Sequence, residues 1–226
     1  MIKKGDLLDY GLTIFQDNNN FKFNLDSVLL AEFVKIKKKS KILELCSGNA
    51  VIPLILLTKE SDLLIDCVEI QKAVCDIAKK NISINNYDAK VNVINNNLNN
   101  LSNNNYYDII VCNPPYYKNN NKMGNSIQKN ISKHEIHTNI EEIIRCLKRY
   151  LNPKGKLYLI FKTTRLPELI SLLKKYNFGI LNITFIVTKK DSINLFLLEA
   201  QKSKKDNTKV NYVYIKNVKT YKNLFN

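Results

Sequence analysis

Residues 41–70 read KILELCSGNAVIPLILLTKESDLLIDCVEI, and the order of residue types in this stretch decides the fold. Lys41–Leu45 (KILEL) is a short apolar run of the kind that forms a strand buried on both faces. It ends in Cys46-Ser47-Gly48-Asn49, small residues suited to a sharp turn. Leu54–Leu57 then supports a helix starting near Pro53, a residue tolerated in a first helical turn. Leu63–Ile70 (LLIDCVEI) is a second strand. Strand, turn, helix, strand is the repeating unit of a parallel sheet covered by helices.

The same alternation continues outward. Gln71–Asn86 is predicted helical, with Val74, Ile77, Ala78 and Ile82 on one face. Val91–Ile94 is a third strand and Tyr107–Cys112 (YDIIVC) a fourth. Ile140, Ile143, Ile144, Leu147 and Leu151 form the apolar stripe of a helix that Pro153 and Gly155 end. Leu157–Phe161 is a fifth strand, followed by a helix over Leu166–Tyr176. Ile180–Val187 and Ile193–Leu198 are two further strands, joined by a hairpin turn at Lys189-Lys190-Asp191. No helix fits between these two, so one must run antiparallel. The fold class is therefore α/β: a Rossmann-like, seven-stranded, mostly parallel sheet with helices on both faces and a terminal antiparallel hairpin. Met1–Asn20, short and polar, lies outside this pattern. Leu25–Ile36 is an apolar helix capped by Asn24 or Asp26. Lys118–Lys133 is low-complexity and basic and reads as a mobile loop. From Lys202 the chain is basic and carries Tyr212, Tyr214 and Tyr221, with an edge strand at Val210–Ile215. One domain is expected over residues 1–226: an N-terminal extension and helix over 1–40, a core over 41–200 and a basic tail over 201–226.

Composition bounds the function. The chain has 226 residues, 45% hydrophobic and 24% charged, the range of a globular domain. No apolar run approaches the roughly 18 residues that cross a bilayer, and MIKKGDLLDY lacks the apolar core of a secretory signal. A cytoplasmic protein with no membrane contact is expected. Lys+Arg is 35 and Asp+Glu 20, giving a net charge of +15 that favours a polyanionic partner such as nucleic acid. The basic residues are almost all Lys, Arg145, Arg149 and Arg165 excepted, and Asn, Ile and Tyr are abundant. An AT-rich genome produces the same bias, so charge leaves both origins open. Cys46, Cys67, Cys75, Cys112 and Cys146 show no C-x-x-C spacing, and His134 and His137 fall short of the H-E-x-x-H zinc pattern. No metal site is expected.

Ligands of an open parallel sheet sit beyond the carboxyl ends of its strands, where strand order reverses. Three such ends carry polar residues. Glu44–Ala50 holds the turn at Gly48, which does not meet the dinucleotide fingerprint and is compatible with an ordinary β–α turn. Glu69 follows about 20 residues later, where an acid accepts hydrogen bonds from both hydroxyls of a ribose, or simply ends a strand in solvent. Asn113-Pro114-Pro115-Tyr116 is the most specific of the three. Two prolines stiffen the chain and aim the Asn113 side-chain oxygen and the Pro114 carbonyl in one direction. That pair can accept both hydrogens of a planar amino group, and Tyr116 can stack on the ring that carries it; the alternative is a plain strand-terminating turn.

These residues resemble the N-P-P-[YF] class of S-adenosylmethionine-dependent methyltransferases, which modify adenine N6 or glutamine N5. Within that class the chain is similar to the bacterial tRNA1(Val) adenine-N6 methyltransferase family, in the stretches Phe21–Leu30, Leu43–Pro53 (LELCSGNAVIP), Asn113–Tyr117 and Lys133-His134-Glu135. The resemblance implies S-adenosylmethionine as cofactor, with Glu44, Cys46, Gly48 and Asn49 around its methionine end and Glu69 and Ile70 at the ribose. It places Asn97 where relatives carry an Asp facing the adenine amino group. It also places Phe23 and Asp26 in a segment closing over the cofactor, and counts Asn113 among the cofactor-binding residues. Ala50 stands where the family has glycine. The resemblance further implies tRNA as partner, a monomer, and the adenine just 3′ of the anticodon as target. Lys118, Lys122, Lys129, Lys133, Arg145, Arg149 and the lysine-rich tail are then the candidate RNA surface. Asn113 is neutral and cannot act as a base, so positioning of the amine supplies the rate. Two rivals stand beside this reading. One is a glutamine-N5 protein methyltransferase, whose relatives carry a helical domain ahead of the first core strand. The other is a non-catalytic RNA-binding protein on the same scaffold.

Overall fold

Parallel pairing centres on the strand read first above. The computed structural model describes residues 2–17, 25–101, 106–114, 140–188, 192–215 and 219–225. Two strands, β1 (Ile2–Leu7) and β2 (Leu12–Asp17), form an antiparallel hairpin apart from the main sheet. Then follow α1 (Leu25–Phe33), β3 (Lys41–Leu45), α2 (Val51–Lys59), β4 (Leu64–Glu69), α3 (Lys72–Ile84), β5 (Val91–Asn95) and β6 (Tyr107–Cys112). The second half holds α4 (Ile140–Tyr150), β7 (Leu151–Lys162), α5 (Leu166–Lys175), β8 (Phe178–Val187), β9 (Ile193–Lys202) and β10 (Lys209–Tyr214).

The main sheet runs β10-β8-β9-β7-β6-β3-β4-β5. Among its described pairings only those of β9, with β7 and β8, are antiparallel. From β3 the chain moves to β4 and β5 on one side, and later to β6 and β7 on the other. The carboxyl ends of β3 and β6 therefore flank the point where strand order reverses. Side chains alternate through the sheet. Ile42, Ile65, Ile109, Val111 and Tyr158 pack toward α1, α2 and α3, while Leu43, Leu45, Ile110, Leu157 and Leu159 pack toward α4 and α5. Every residue of α2 from Val51 to Leu57 is buried, because the helix lies between the sheet and α1. That explains why its sequence is apolar all round rather than striped.

The mostly parallel α/β sheet expected from the sequence is present, with three differences. It has eight strands rather than seven: β10 joins β8 in parallel, where an edge strand at Val210–Ile215 was expected. Residues 2–17, expected to lie outside the ordered pattern, form the β1–β2 hairpin. Leu12 and Ile14 bury one face of β2, and two asparagines, Asn81 in α3 and Asn85 at its C-terminal cap, satisfy its free edge. Asn81 Oδ1 accepts from Phe15 N at 2.6 Å and its Nδ2 donates to Phe15 O at 3.0 Å. Asn85 does the same for Thr13, at 3.0 and 2.8 Å. Two side-chain amides thus replace a neighbouring strand.

The third difference concerns β7, which begins at Leu151 rather than near Leu157. Its register slips between Tyr107↔Leu151 and Ile109↔Lys156, and Pro153 and Gly155 sit in that irregular stretch. A Cβ on Gly155 would lie 2.7 Å from Leu151 Cγ, so close packing, not helix termination, requires the glycine. Nor is the whole basic tail a free surface. Thr220 Oγ1 donates to Asp9 Oδ2 at 2.6 Å, Asn223 N donates to Glu32 Oε2 at 2.9 Å, and Phe225 meets Phe33 edge-on at 5.5 Å. The hairpin turn at 189–191 and the segment 118–133 lie outside the described residues.

Candidate active site

Strand β4 ends on Glu69, and the carboxylate reaches back across the sheet. Its Oε2 accepts from Gly48 N at 3.1 Å and its Oε1 from Gln71 N at 3.0 Å. Glu69 is buried, which raises its pKa; the backbone donors from Gln71, Gly48 and Ile70 act in the opposite direction. One acid thus fastens the turn after β3 to the end of β4, and each oxygen keeps acceptor capacity for a further donor. Gly48 has φ 53°, and no atom of the described residues lies within 4 Å of where a Cβ would stand. The glycine therefore serves both a left-handed conformation and an open face of the turn. Cys46 (φ 57°) and Ala50 (φ 59°) share the left-handed conformation, which costs a residue with a Cβ about 1 kcal/mol or more. The fully buried Ala50 methyl packs into the core and offsets that strain. The carbonyl of Asn49 accepts from Asn81 Nδ2 at 3.0 Å, so the amide that docks β2 also holds this turn.

Beneath the turn lies Glu44, almost wholly buried. Among the described residues, neither its Oε2 nor the buried Ser47 Oγ has a hydrogen-bond partner. Burial pushes the Glu44 carboxyl well above its ordinary range, against the opposing hydrogen bond with Cys67. Alongside, the Cys112 thiol is raised by its hydrogen bond with Cys46 and by burial. Orphaned buried acceptors next to an open glycine turn fit the polar, cationic amino-acid end of S-adenosylmethionine, which supplies the missing donors and positive charge.

The Glu44 carboxyl makes stability pH-dependent. Its folded pKa lies above the ordinary 4.5, so the advantage of its protonated form is fully present below 4.5. That advantage is lost as pH rises toward the folded value, because the unfolded chain releases its proton first. Glu44→Gln keeps the size and removes the proton. The variant is expected to unfold at higher denaturant than wild type at about pH 8, with the gap closing toward about pH 4.5. A gap constant across that range would place no shifted carboxyl at Glu44.

Asn113 follows β6 directly and is half-buried, with Pro114 buried behind it. Its Nδ2 donates to Ser27 Oγ of α1 at 3.1 Å. The serine takes the donor end of the amide and so orients the acceptor end. Ser27 was not among the predicted site residues; a hydroxyl within an apolar helical run gives no sign of a partner 86 positions away. Asp26 lies beside it in the first turn of α1. Asn97 caps the 3₁₀ turn Leu98–Asn100, its Oδ1 accepting from Asn99 N at 2.9 Å, and Ile70 is 36% exposed at the end of β4. The sheet thus gathers Glu44, Cys46, Gly48, Asn49, Glu69, Ile70, Asn97 and Asn113 at one end. Phe23, Pro115, Tyr116, Lys118, Lys122, Lys129, Lys133, His134 and His137 lie outside the described residues.

Arg145 and Arg149 are exposed on α4, in a cleft with Leu98 and Asn99. Arg149 stands two residues before Leu151, which pairs with the first residue of β6, so it lies toward the opposite end of the strands from Asn113. A second cleft, lined by Lys41, Asp66, Lys90 and Tyr107, is at the amino ends of the strands. Ligands of such sheets bind at the carboxyl ends, so neither cleft is the candidate site.

The sheet order and the strand-end acids define a class I methyltransferase fold. A family model, the methyltransferase small domain, matches residues 20–184, and the chain belongs to that family. Fold and family together imply S-adenosylmethionine as cofactor. A curated relative from Aliivibrio salmonicida (strain LFI1238), named tRNA1(Val) (adenine(37)-N6)-methyltransferase, is 24% identical over 77% of this chain and 74% of its own. Solved structures share the fold at low identity. A Listeria monocytogenes protein described as a class I S-adenosylmethionine-dependent methyltransferase superposes with TM-score 0.62 at 16% identity, covering 88% of this chain and 67% of its own. The tRNA m1G37 methyltransferase of M. jannaschii gives 0.63 at 11%, over 90% and 55%. No described helix is long and apolar enough to cross a membrane.

Proposed function

We propose that this methyltransferase transfers a methyl group to the N6 amine of an adenine in tRNA, with adenine 37 of tRNA1(Val) as the target. The observation that carries the reading is the Asn113 amide, held by Ser27 beside the carboxyl end of β3 and backed by a buried proline. The sequence Asn-Pro-Pro-Tyr and the name of the A. salmonicida relative favour an amino nitrogen in tRNA as acceptor.

The bound cofactor supplies an already activated methyl group on a sulfonium. What the chain must supply is position. The N6 lone pair of adenine is delocalised into the ring and makes a poor nucleophile. Accepting its hydrogens at Asn113 Oδ1 and the Pro114 carbonyl favours a more pyramidal nitrogen and aims it at the sulfonium side of the site. Holding the reacting atoms about 3 Å apart in line contributes most of the rate. The released proton needs no strong base, because the methylated ammonium is acidic. The target base must leave its stack to reach this pocket, which suits an anticodon loop.

The experiment is transfer of tritiated methyl to tRNA, to a release factor and to DNA, followed by nucleoside analysis. N6-methyladenosine in tRNA is expected. Label confined to a glutamine side chain would establish the protein-methylating alternative, and no transfer to any of the three would favour a binding scaffold.

A further inference from the structure

Strand β10 closes one edge of the sheet and leaves one face bare. Val213 and Ile215 pack inward on the core beneath α1 and α2. The alternate residues point to the other face, where Val210 is 65%, Tyr212 69% and Tyr214 54% exposed. The two tyrosine rings stand 5.6 Å apart at 86°, in an edge-to-face arrangement. Three large apolar side chains in a row on an edge strand are not neutral surface and call for a partner.

Two features identify the partner. The segment 202–222 has seven lysines and a single acid, Asp206. Lysine is depleted in protein–protein contacts, whereas exposed tyrosines flanked along the chain by cations such as Lys204, Lys205 and Lys209 suit single-stranded nucleic acid. Position agrees: β10 runs parallel to β8, and Tyr214 pairs with Val187, the last residue of β8. Both strands point the same way as β6, so the tyrosines lie at the end of the sheet that carries Asn113. Four strand spacings separate β10 from β6, about 19 Å, a few nucleotides of extended chain.

We propose that the outer face of β10 is an RNA-docking strip on which Tyr212 and Tyr214 stack unpaired bases flanking the target, while the surrounding lysines meet the phosphates. This rests on the RNA reading above and adds where the substrate is gripped. The test compares wild type with Tyr212→Ala/Tyr214→Ala and with Tyr212→Phe/Tyr214→Phe, all full-length. Affinity for a tRNA transcript and for a single-stranded RNA oligonucleotide is read by fluorescence anisotropy, alongside KM and kcat for methyl transfer. The alanine pair is expected to weaken RNA binding and raise KM for tRNA by at least about tenfold, with kcat and S-adenosylmethionine affinity unchanged. The phenylalanine pair, which keeps the stacking faces, should restore RNA affinity. Unchanged RNA affinity in the alanine pair overturns the strip. So does a wild-type dimer that the alanine pair dissociates with RNA binding intact, since the strip would then join two copies of the chain. Wild type that binds RNA through these tyrosines but methylates no tRNA would retain the strip and reject the proposed reaction; wild type that binds no RNA rejects the strip.

Discussion

Asn113→Ala lowers kcat for methyl transfer to about a thousandth of wild type and leaves S-adenosylmethionine binding largely intact. The change removes the acceptor that holds the amine, an interaction needed at the reacting centre, and losses of this kind run to about a hundred- to a thousandfold. Ser27→Ala tests the same arrangement one step removed. Without the hydroxyl 3.1 Å from its Nδ2, the amide loses a bond that orients it. A net hydrogen bond of about 1 kcal/mol then appears as a several-fold to tenfold drop in kcat. Adding Ser27→Ala to Asn113→Ala should lower the rate no further, because the serine acts through the asparagine. Full turnover in Asn113→Ala, or equal losses from Ser27→Ala in both backgrounds, would contradict the assigned roles.

Glu69→Ala abolishes cofactor binding and also costs stability. Two ribose hydroxyls bonded to a buried carboxylate are worth about 1.5–3 kcal/mol each, so the dissociation constant rises by about two to four orders of magnitude. The same substitution strips an acceptor from Gly48 N and Gln71 N, costing about 1–3 kcal/mol for each donor left unsatisfied. Glu69→Gln keeps one acceptor oxygen and should fall between alanine and wild type in both respects. Calorimetric titration and thermal unfolding separate the two effects. Lost stability with normal cofactor affinity would make Glu69 a brace for the turn and nothing more.

How well each element could be read depended on whether its partners were local. The strands at Lys41–Leu45, Leu64–Glu69 and Tyr107–Cys112 stood out because strands buried on both faces are short apolar runs, here bounded by turn residues. The β1–β2 hairpin was missed because its outer edge bonds to side chains, which strand periodicity does not register. A signal was nevertheless present. Ala78, Asn81, Ile82 and Asn85 share one face of α3, and an asparagine among buried residues needs a polar partner. The start of β7 was misplaced because Pro153 and Gly155 carry the marks of a stop but serve a bend forced by close packing. At the site, Glu69 and the turn at Gly48 were legible from their separation in the sequence. The unpartnered oxygen of Glu44 and the serine behind Asn113 become visible only in three dimensions, where burial and distance can be read.

The clasp between Thr220 and Asp9, with Asn223 on Glu32, joins residues 211 and 191 positions apart. During synthesis the hairpin and α1 emerge early, and their flank stays open until residues 219–225 follow. Contacts of such long sequence separation form late and slowly. Until those residues emerge, the apolar ring of Phe33 lacks its Phe225 neighbour, and the interval is one in which a ribosome-associated chaperone has something to hold.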